Sequence, residues 1–122
     1  MGKIQESTFV HKGLRCSVML FEAFDMGCAV FGQSWRCGYV EVPEGHPYFR
    51  CDYDDAPDGR PDLPSPEDRL EVHGGVTYAN KSKNGWEFGF DCCHYGDSPE
   101  EWTRERVEEE CRKLADQLIE IV

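Results

Sequence analysis

Two histidines and two aspartates form the constellation in this chain best suited to chemistry: His73, Asp91, His94 and Asp97. His73 opens the run His73-Gly74-Gly75, and Asp91-x-x-His94-x-x-Asp97 follows further on. Imidazole nitrogen combined with carboxylate oxygen is a donor set that suits zinc or manganese. A divalent metal held by these four residues would make the chain a small metal-dependent hydrolase. The same residues have a plainer use. Asp97 stands where a carboxylate satisfies the first N–H groups of a helix, and both imidazoles can hydrogen-bond backbone inside a buried turn. Because spacing alone is a weak warrant for a metal, the simpler expectation is no cofactor.

Cys92-Cys93-His94 places thiols beside an imidazole, the ingredients of an activated nucleophile. Adjacent residues on an extended chain point to opposite sides, however, so neither thiol is automatically paired with the ring. Nothing nearby marks an oxyanion hole, and buried structural thiols are the expectation. No catalytic residue is assigned.

A third grouping is aromatic. His46, Tyr48, Tyr78, Trp86 and Tyr95 could rim a pocket with Arg36, Arg50 and Asn80 at its edge. Such a pocket would stack a base or a nicotinamide-like ring and hold phosphates with arginine forks. The ordinary fate of such aromatics is the core. Gly74-Gly75 fits either close backbone approach to a ligand or a kinked strand, and not a phosphate loop, since no glycine-rich turn opens a helix with lysine. The expected ligand-binding set is His46, Tyr48, His73, Gly74, Gly75, Tyr78, Trp86, Asp91 and His94.

These residues need elements to position them, and the stretch Glu71 to Asp97 supplies a hairpin pattern. Trp86, Phe88 and Phe90 alternate with Glu87, Gly89 and Asp91, the period of a strand with one apolar face. Gly89 leaves a gap where a ligand or another backbone could approach. Asn84-Gly85 is the dipeptide suited to a tight hairpin turn, which makes Val72 to Tyr78 the expected partner strand. Upstream, Leu14 to Leu20 reads as a first strand after a Lys12-Gly13 turn, Cys28–Gly32 as a second, and Trp35 to Val42 as a third, with a connection at Phe21 to Gly27. In the third, Trp35, Cys37 and Tyr39 alternate with Arg36, Gly38 and Val40.

Pro43 to Asp68 carries six of the seven prolines, so a long loop is expected, ordered in its first half and mobile over the acidic stretch 54–66. From Ser98 the period changes. Val107, Cys111, Leu114, Leu118 and Ile121 fall on one helical face. Ser98-Pro99-Glu100-Glu101 offers a capping box, with Thr103 as the alternative cap if the first turn is separate. The fold class is α+β: an antiparallel β-sheet with a C-terminal amphipathic helix packed on one face, a single domain over residues 1–122.

The chain has 24 acidic and 13 basic residues and a net charge of -11. That surface repels nucleic-acid phosphates and anionic membranes, so neither direct nucleic-acid binding nor a membrane role is expected. The seven cysteines, Cys16, Cys28, Cys37, Cys51, Cys92, Cys93 and Cys111, are odd in number and contain no CxxC pair. With no apolar secretory run in MGKIQESTFVHKG, they read as reduced thiols of a cytoplasmic protein.

The strings GYVEVPEGHPYF, DYDD, VHGGVTY and WEFGFDCCHYGD, with a WT-led C-terminal helix ending LADQL, resemble a family of small phage and prophage proteins. The resemblance implies a viral accessory origin and a single small domain in the host cytoplasm. It brings no catalytic residue with it. Members often carry alanine at the position of Cys93, which implies that this thiol is neither an obligatory ligand nor a nucleophile. The function expected is a phage accessory binding protein in counter-defence, which sequesters a small nucleotide-derived signal or blocks a host defence protein. The hydrolase is the alternative, and a homo-oligomer is compatible with either.

Overall fold

The first strand pair grows from a two-residue turn. In the computed structural model, which describes residues 2–22 and 34–122, Lys12 and Gly13 both have positive φ, 50° and 91°. This is the backbone of a tight hairpin turn whose twist matches that of its strands. His11 therefore pairs with Leu14, and β1 (Lys3–His11) runs antiparallel to β2 (Leu14–Glu22). The sequence reading does not anticipate β1. It is an edge strand of mostly exposed residues with no apolar alternation, and a bulge between Gln5 and Ser7 breaks its period.

β3 (Ser34–Val42) pairs with β2 and, on its other edge, with β5 (Trp86–Asp91), which also takes β4 (Tyr78–Lys81). All pairings among the described residues are antiparallel, and their five strands lie in the order β1-β2-β3-β5-β4. The strand expected at Cys28–Gly32 lies outside the described residues, as does the connection before it from residue 23.

The central hairpin differs from expectation in two ways. Val72 to Gly75 forms a turn, closed by Gly75 N–H donating to the Val72 carbonyl at 2.9 Å, and strand pairing begins only at Tyr78. At the other end the connection is four residues, Ser82 to Gly85, because Lys81 pairs with Trp86. Gly85 is required for space, not for a positive φ: a Cβ there would collide with the Val42 carbonyl oxygen.

α1 is a single turn (Pro66–Arg69), and α2 spans Arg104–Glu120. Ser98 and Thr103 both cap, but different turns. Ser98 Oγ accepts from Glu101 N–H at 3.2 Å in a separate turn, while Thr103 Oγ1 accepts from Arg106 N–H at 3.2 Å and starts α2. The predicted stripe Val107, Cys111, Leu114 and Leu118 is buried, joined by Ala115 and by Ile121 just past the helix end. It packs against Cys16, Val18, Val40, Phe88 and Phe90 on one face of the sheet, which is the α+β arrangement expected. No described helix is long and apolar enough to cross a membrane.

The proline-rich loop closes the open end of this core. Tyr48 is fully buried and donates its hydroxyl to the Pro64 carbonyl at 2.7 Å, and Trp86 Nε1–H donates to the Cys51 carbonyl at 2.9 Å. Asp54, Asp55, Asp58 and Asp62 remain exposed. His46 ties the loop to the end of α2: its Nδ1 accepts from Tyr48 N–H at 3.0 Å, so Nε2 carries the proton and donates to the Leu118 carbonyl at 2.7 Å.

Two outcomes follow. Leu114→Ala, which empties a fully buried position, is expected to cost about 2–5 kcal/mol in denaturant unfolding; a change within error would mean that this face of α2 is misassigned. Burial holds the His46 pKa below its ordinary value, and the Leu118 carbonyl only partly offsets this. The unfolded state then binds more protons than the folded state below about pH 6.5, so this contribution is complete above that pH and is lost as pH falls. His46→Gln is expected to flatten the loss of melting temperature as pH falls below about 6.5.

Candidate functional site

β3 is buried on both faces, and this creates the site. Alternate residues of a strand point to opposite sides. Gly38, Val40 and Val42 face α2, whereas Trp35 and Cys37 form a second cluster on the far face with Phe21, Tyr39 and Cys93. Antiparallel register sets the rows of that far face. Phe21 is opposite Trp35, Cys37 is opposite Asp91, and Tyr39 lies between Ser17 and Gly89, with Tyr78 beyond.

Gly89 permits the last of these rows. A Cβ there would stand 2.7 Å from the Tyr39 ring. Without it the ring lies over the backbone of β5 and meets Tyr78 edge to face, with centroids 5.2 Å apart and planes at 78°. Phe21 and Trp35 stack at 5.7 Å and 16°. The gap expected at Gly89 is thus filled by an aromatic ring of the chain itself.

These rings wall a cleft of about 620 Å³, within the usual range for small-molecule sites. Thr77, Tyr78, Asp91, Cys93 and His94 line its polar end, and Lys3 reaches it from β1. Burial raises the Tyr39 pKa, assisted by neighbouring Cys37, and burial also raises that of Tyr78. Both phenols therefore stay protonated and can donate hydrogen bonds at neutral pH.

The polar end is built by the four residues that the sequence singles out, which the fold brings together in pairs. His73 Nε2 lies 2.8 Å from Asp97 Oδ2, and the same oxygen accepts from His94 N–H at 3.0 Å. Asp97 is well buried, at 8% side-chain exposure. Its expected role at a helix start is replaced by this one. The His73 ring stacks on Trp102 at 3.9 Å and meets the His94 ring edge-on at 5.7 Å. His94 lies against Gly74, whose φ is +71° and where a Cβ would strike the imidazole.

Asp91 gathers donors. Its Oδ2 accepts from Thr77 Oγ1 at 3.0 Å, and its Oδ1 from Cys93 N–H at 3.3 Å and Cys93 Sγ at 3.1 Å. His94 Nε2 is 3.1 Å from the same oxygen but is misaligned for a hydrogen bond and has no other partner. That contact is not a hydrogen bond, since hydrogen bonding weakens steeply with poor alignment.

As metal ligands the four do not converge. Among the described residues, only Asp52, Asp54 and Asp55 present three ligand atoms within 4.8 Å of one another, and these are exposed on the loop. The thiol readings also resolve. Cys92 faces the core, Cys93 the cleft, and Cys93 donates to Asp91. Burial pushes Cys16 and Cys51 up to about 11 and raises Cys92 and Cys111 as well. Buried, protonated thiols are poor nucleophiles. The six described cysteines form no disulfide with one another.

Of the expected ligand-binding residues, Tyr78, Asp91 and His94 line the cleft, and His73 and Gly74 support it from behind. Gly75 faces open space. His46, Tyr48 and Trp86 serve the core and the loop at the other end of the sheet. Tyr95 is fully exposed. Arg36 is committed elsewhere: it pairs with Glu6 at 2.6 Å and donates to the Pro99 and Trp102 carbonyls. The lining residues outside the expected set are Lys3, Phe21, Trp35, Cys37, Tyr39, Thr77, Phe90 and Cys93. For Trp35, Cys37 and Tyr39 the signal was the alternation in Trp35 to Val42, where both alternating sets contain apolar residues; Lys3 and Phe21 carried no such signal.

Comparison with protein-family models, with curated proteins and with solved structures finds no match.

Asp97→Ala is expected to lower unfolding free energy by about 1–3 kcal/mol, because it strips the acceptor from His94 N–H and from the His73 ring inside the fold. Unchanged stability would show that Asp97 does not hold this turn.

Proposed function

We propose that the chain is a small-molecule-binding module that sequesters a planar heteroaromatic ligand, the base of a nucleotide-derived signal, in the cleft on the far face of the sheet. Its setting on this reading is the cytoplasm of a phage-infected host, where capture of such a signal counters defence. One observation carries the proposal: a cleft of about 620 Å³ has ring walls along its length and hydrogen-bonding groups at one end. Rings with both faces and polar edges fit such a shape, since the faces stack on aromatics while Asp91 and His94 address the edge.

The charge of the lining narrows the ligand. Lys3 is the one cation among the described lining residues, and Asp91 opposes it. With Arg36 tied to Glu6, no arginine fork is available for phosphates. A base, a nucleoside or a monophosphate suits the cleft better than a polyphosphate. Hydrolysis by the His/Asp set would require His73, Asp91, His94 and Asp97 to leave pairings that now hold the turn together.

Titration with adenosine, guanosine and nicotinamide mononucleotide, read by tryptophan fluorescence, tests the proposal. At least one is expected to bind and to be recovered chemically unchanged after heat release, with no effect of chelator. Tyr78→Ala is expected to weaken that ligand by about 1–3 kcal/mol, the worth of one base-stacking aromatic. Conversion of the ligand, or a requirement for a divalent ion, would replace this reading with the hydrolase.

A further inference from the structure

Most cations of this acidic chain have found carboxylates among the described residues, and those that have not are unevenly placed. Of the 13 basic residues, eight make ion pairs: Lys12, Arg36, Arg60, Arg69, Arg104, Arg106, Arg112 and Lys113. The five others are Lys3, Arg15, Arg50, Lys81 and Lys83. Three of these, Arg50, Lys81 and Lys83, line one groove of about 670 Å³ together with Phe49 and Trp86.

Two separate segments build this groove. The loop after β3 contributes Phe49 and Arg50, and the end of β4 with its hairpin loop contributes Lys81 and Lys83. Arg50 holds a left-handed backbone, φ 67°, with its guanidinium 5.8 Å from the Phe49 ring centroid. Trp86 is anchored by its indole N–H on the Cys51 carbonyl, so its half-buried ring is fixed in the wall. Glu44 is the single carboxylate of the lining and pairs with none of the three cations. Arg50 also borders Asp52, Asp55 and Asp58, and Lys83 borders Glu41 and Glu87, without forming an ion pair. Three cations against one carboxylate still leave the lining net positive, and an anion in the groove is attracted to that charge.

We propose that this groove is a second binding site, specific for a small anion that carries an aromatic ring, such as a nucleoside diphosphate. The cations address phosphate oxygens, and Phe49 and Trp86 provide ring surface for the base. Size decides between a small ligand and a polymer. Charges further off than about 8 Å are largely screened at physiological ionic strength, so a small anion meets the local cluster. A nucleic-acid strand extends beyond it and meets the net charge of -11. The site is independent of the cleft. The two lie toward opposite ends of β5, whose six residues from Trp86 to Asp91 place those end residues about 16 Å apart at about 3.3 Å per step.

The test is a titration of the full chain with adenosine diphosphate, inorganic pyrophosphate, adenosine and a thymidine oligonucleotide, followed by amide chemical shifts. Adenosine diphosphate is expected to shift residues 49–50 and 81–86 and to bind there about tenfold or more tightly than adenosine does at the same residues. Its affinity is expected to fall as salt rises from about 0.05 to about 0.5 M. Lys81→Ala combined with Lys83→Ala, two exposed side chains whose loss leaves the melting temperature unchanged, should weaken it about tenfold or more. Tyr78→Ala, in the cleft, should leave it intact. The proposal is overturned if adenosine shifts residues 49–50 and 81–86 with an affinity equal to that of the diphosphate, if pyrophosphate alone matches the diphosphate at those residues, if the lysine variant binds normally, or if the oligonucleotide binds there more tightly. Loss of diphosphate binding in Tyr78→Ala would assign the anion to the cleft and equally overturn the second site.

Discussion

The packing of α2 across β1, β2 and β3 is the contact on which the rest of the structure depends. It is dry: Val107, Cys111, Leu114, Ala115 and Leu118 have no accessible surface, and neither do Val18, Val40 and Phe88 beneath them. The valines, leucines and phenylalanine among them contribute about 1.5–3 kcal/mol each when fully buried, so this one interface supplies much of what opposes chain entropy. Its close fit needs Gly38, where a Cβ would stand 2.7 Å from Cys111 Sγ and 2.5 Å from the Phe90 ring. Small residues at the seam let helix and sheet approach, and dense packing then makes the seam intolerant of change.

The helix also organises polar contacts that hold the irregular segments. Glu110 accepts from His73 N–H at 2.8 Å, Gln117 exchanges hydrogen bonds with the backbone of Glu71, and the Leu118 carbonyl accepts from His46. At its start, Arg36 reaches across from β3 to the Pro99 and Trp102 carbonyls. Trp102, held there, stacks on His73. The His/Asp turn that closes the cleft is therefore supported by the helix on the opposite side of the sheet. A short turn with two positive-φ glycines, Gly74 and Gly75, would not hold such a geometry by itself.

The two cavities differ in the physics that they offer. The cleft is walled by rings, with phenols kept protonated by burial and a single carboxylate as acceptor; it discriminates by shape and by edge hydrogen bonds. The groove is open, cationic and edged by two aromatics; it discriminates by charge. Glu87 sits on the face between them, and burial, reinforced by the charge of Glu41, raises its pKa. Together these features give one small sheet a polarity from end to end that the net charge of -11 conceals.

Much of the architecture was legible in the residues alone, for a definite reason. The α2 stripe, the β2 and β3 strands, the Lys12-Gly13 turn and the inward face of β5 all follow from local periodicity or local φ preference, which act within a few residues. β1 was not legible, because an edge strand is defined by its partner and its own exposed residues need no pattern. Asn84-Gly85 does lie in the hairpin connection, but that connection is four residues long, and Gly85 is needed there for space against the Val42 carbonyl. The candidate site divides in the same way. Asp91, His94 and Tyr78 were recognisable by type, and their neighbourhood follows from the sequence spacing. That Asp97 would hold His73, that Tyr48 would be core, and that Trp35 and Tyr39 would wall the cleft depend on which face of β3 the helix covers. Periodicity shows that a strand has two faces. Only the packing of distant segments decides which one becomes the core and which one is left to bind.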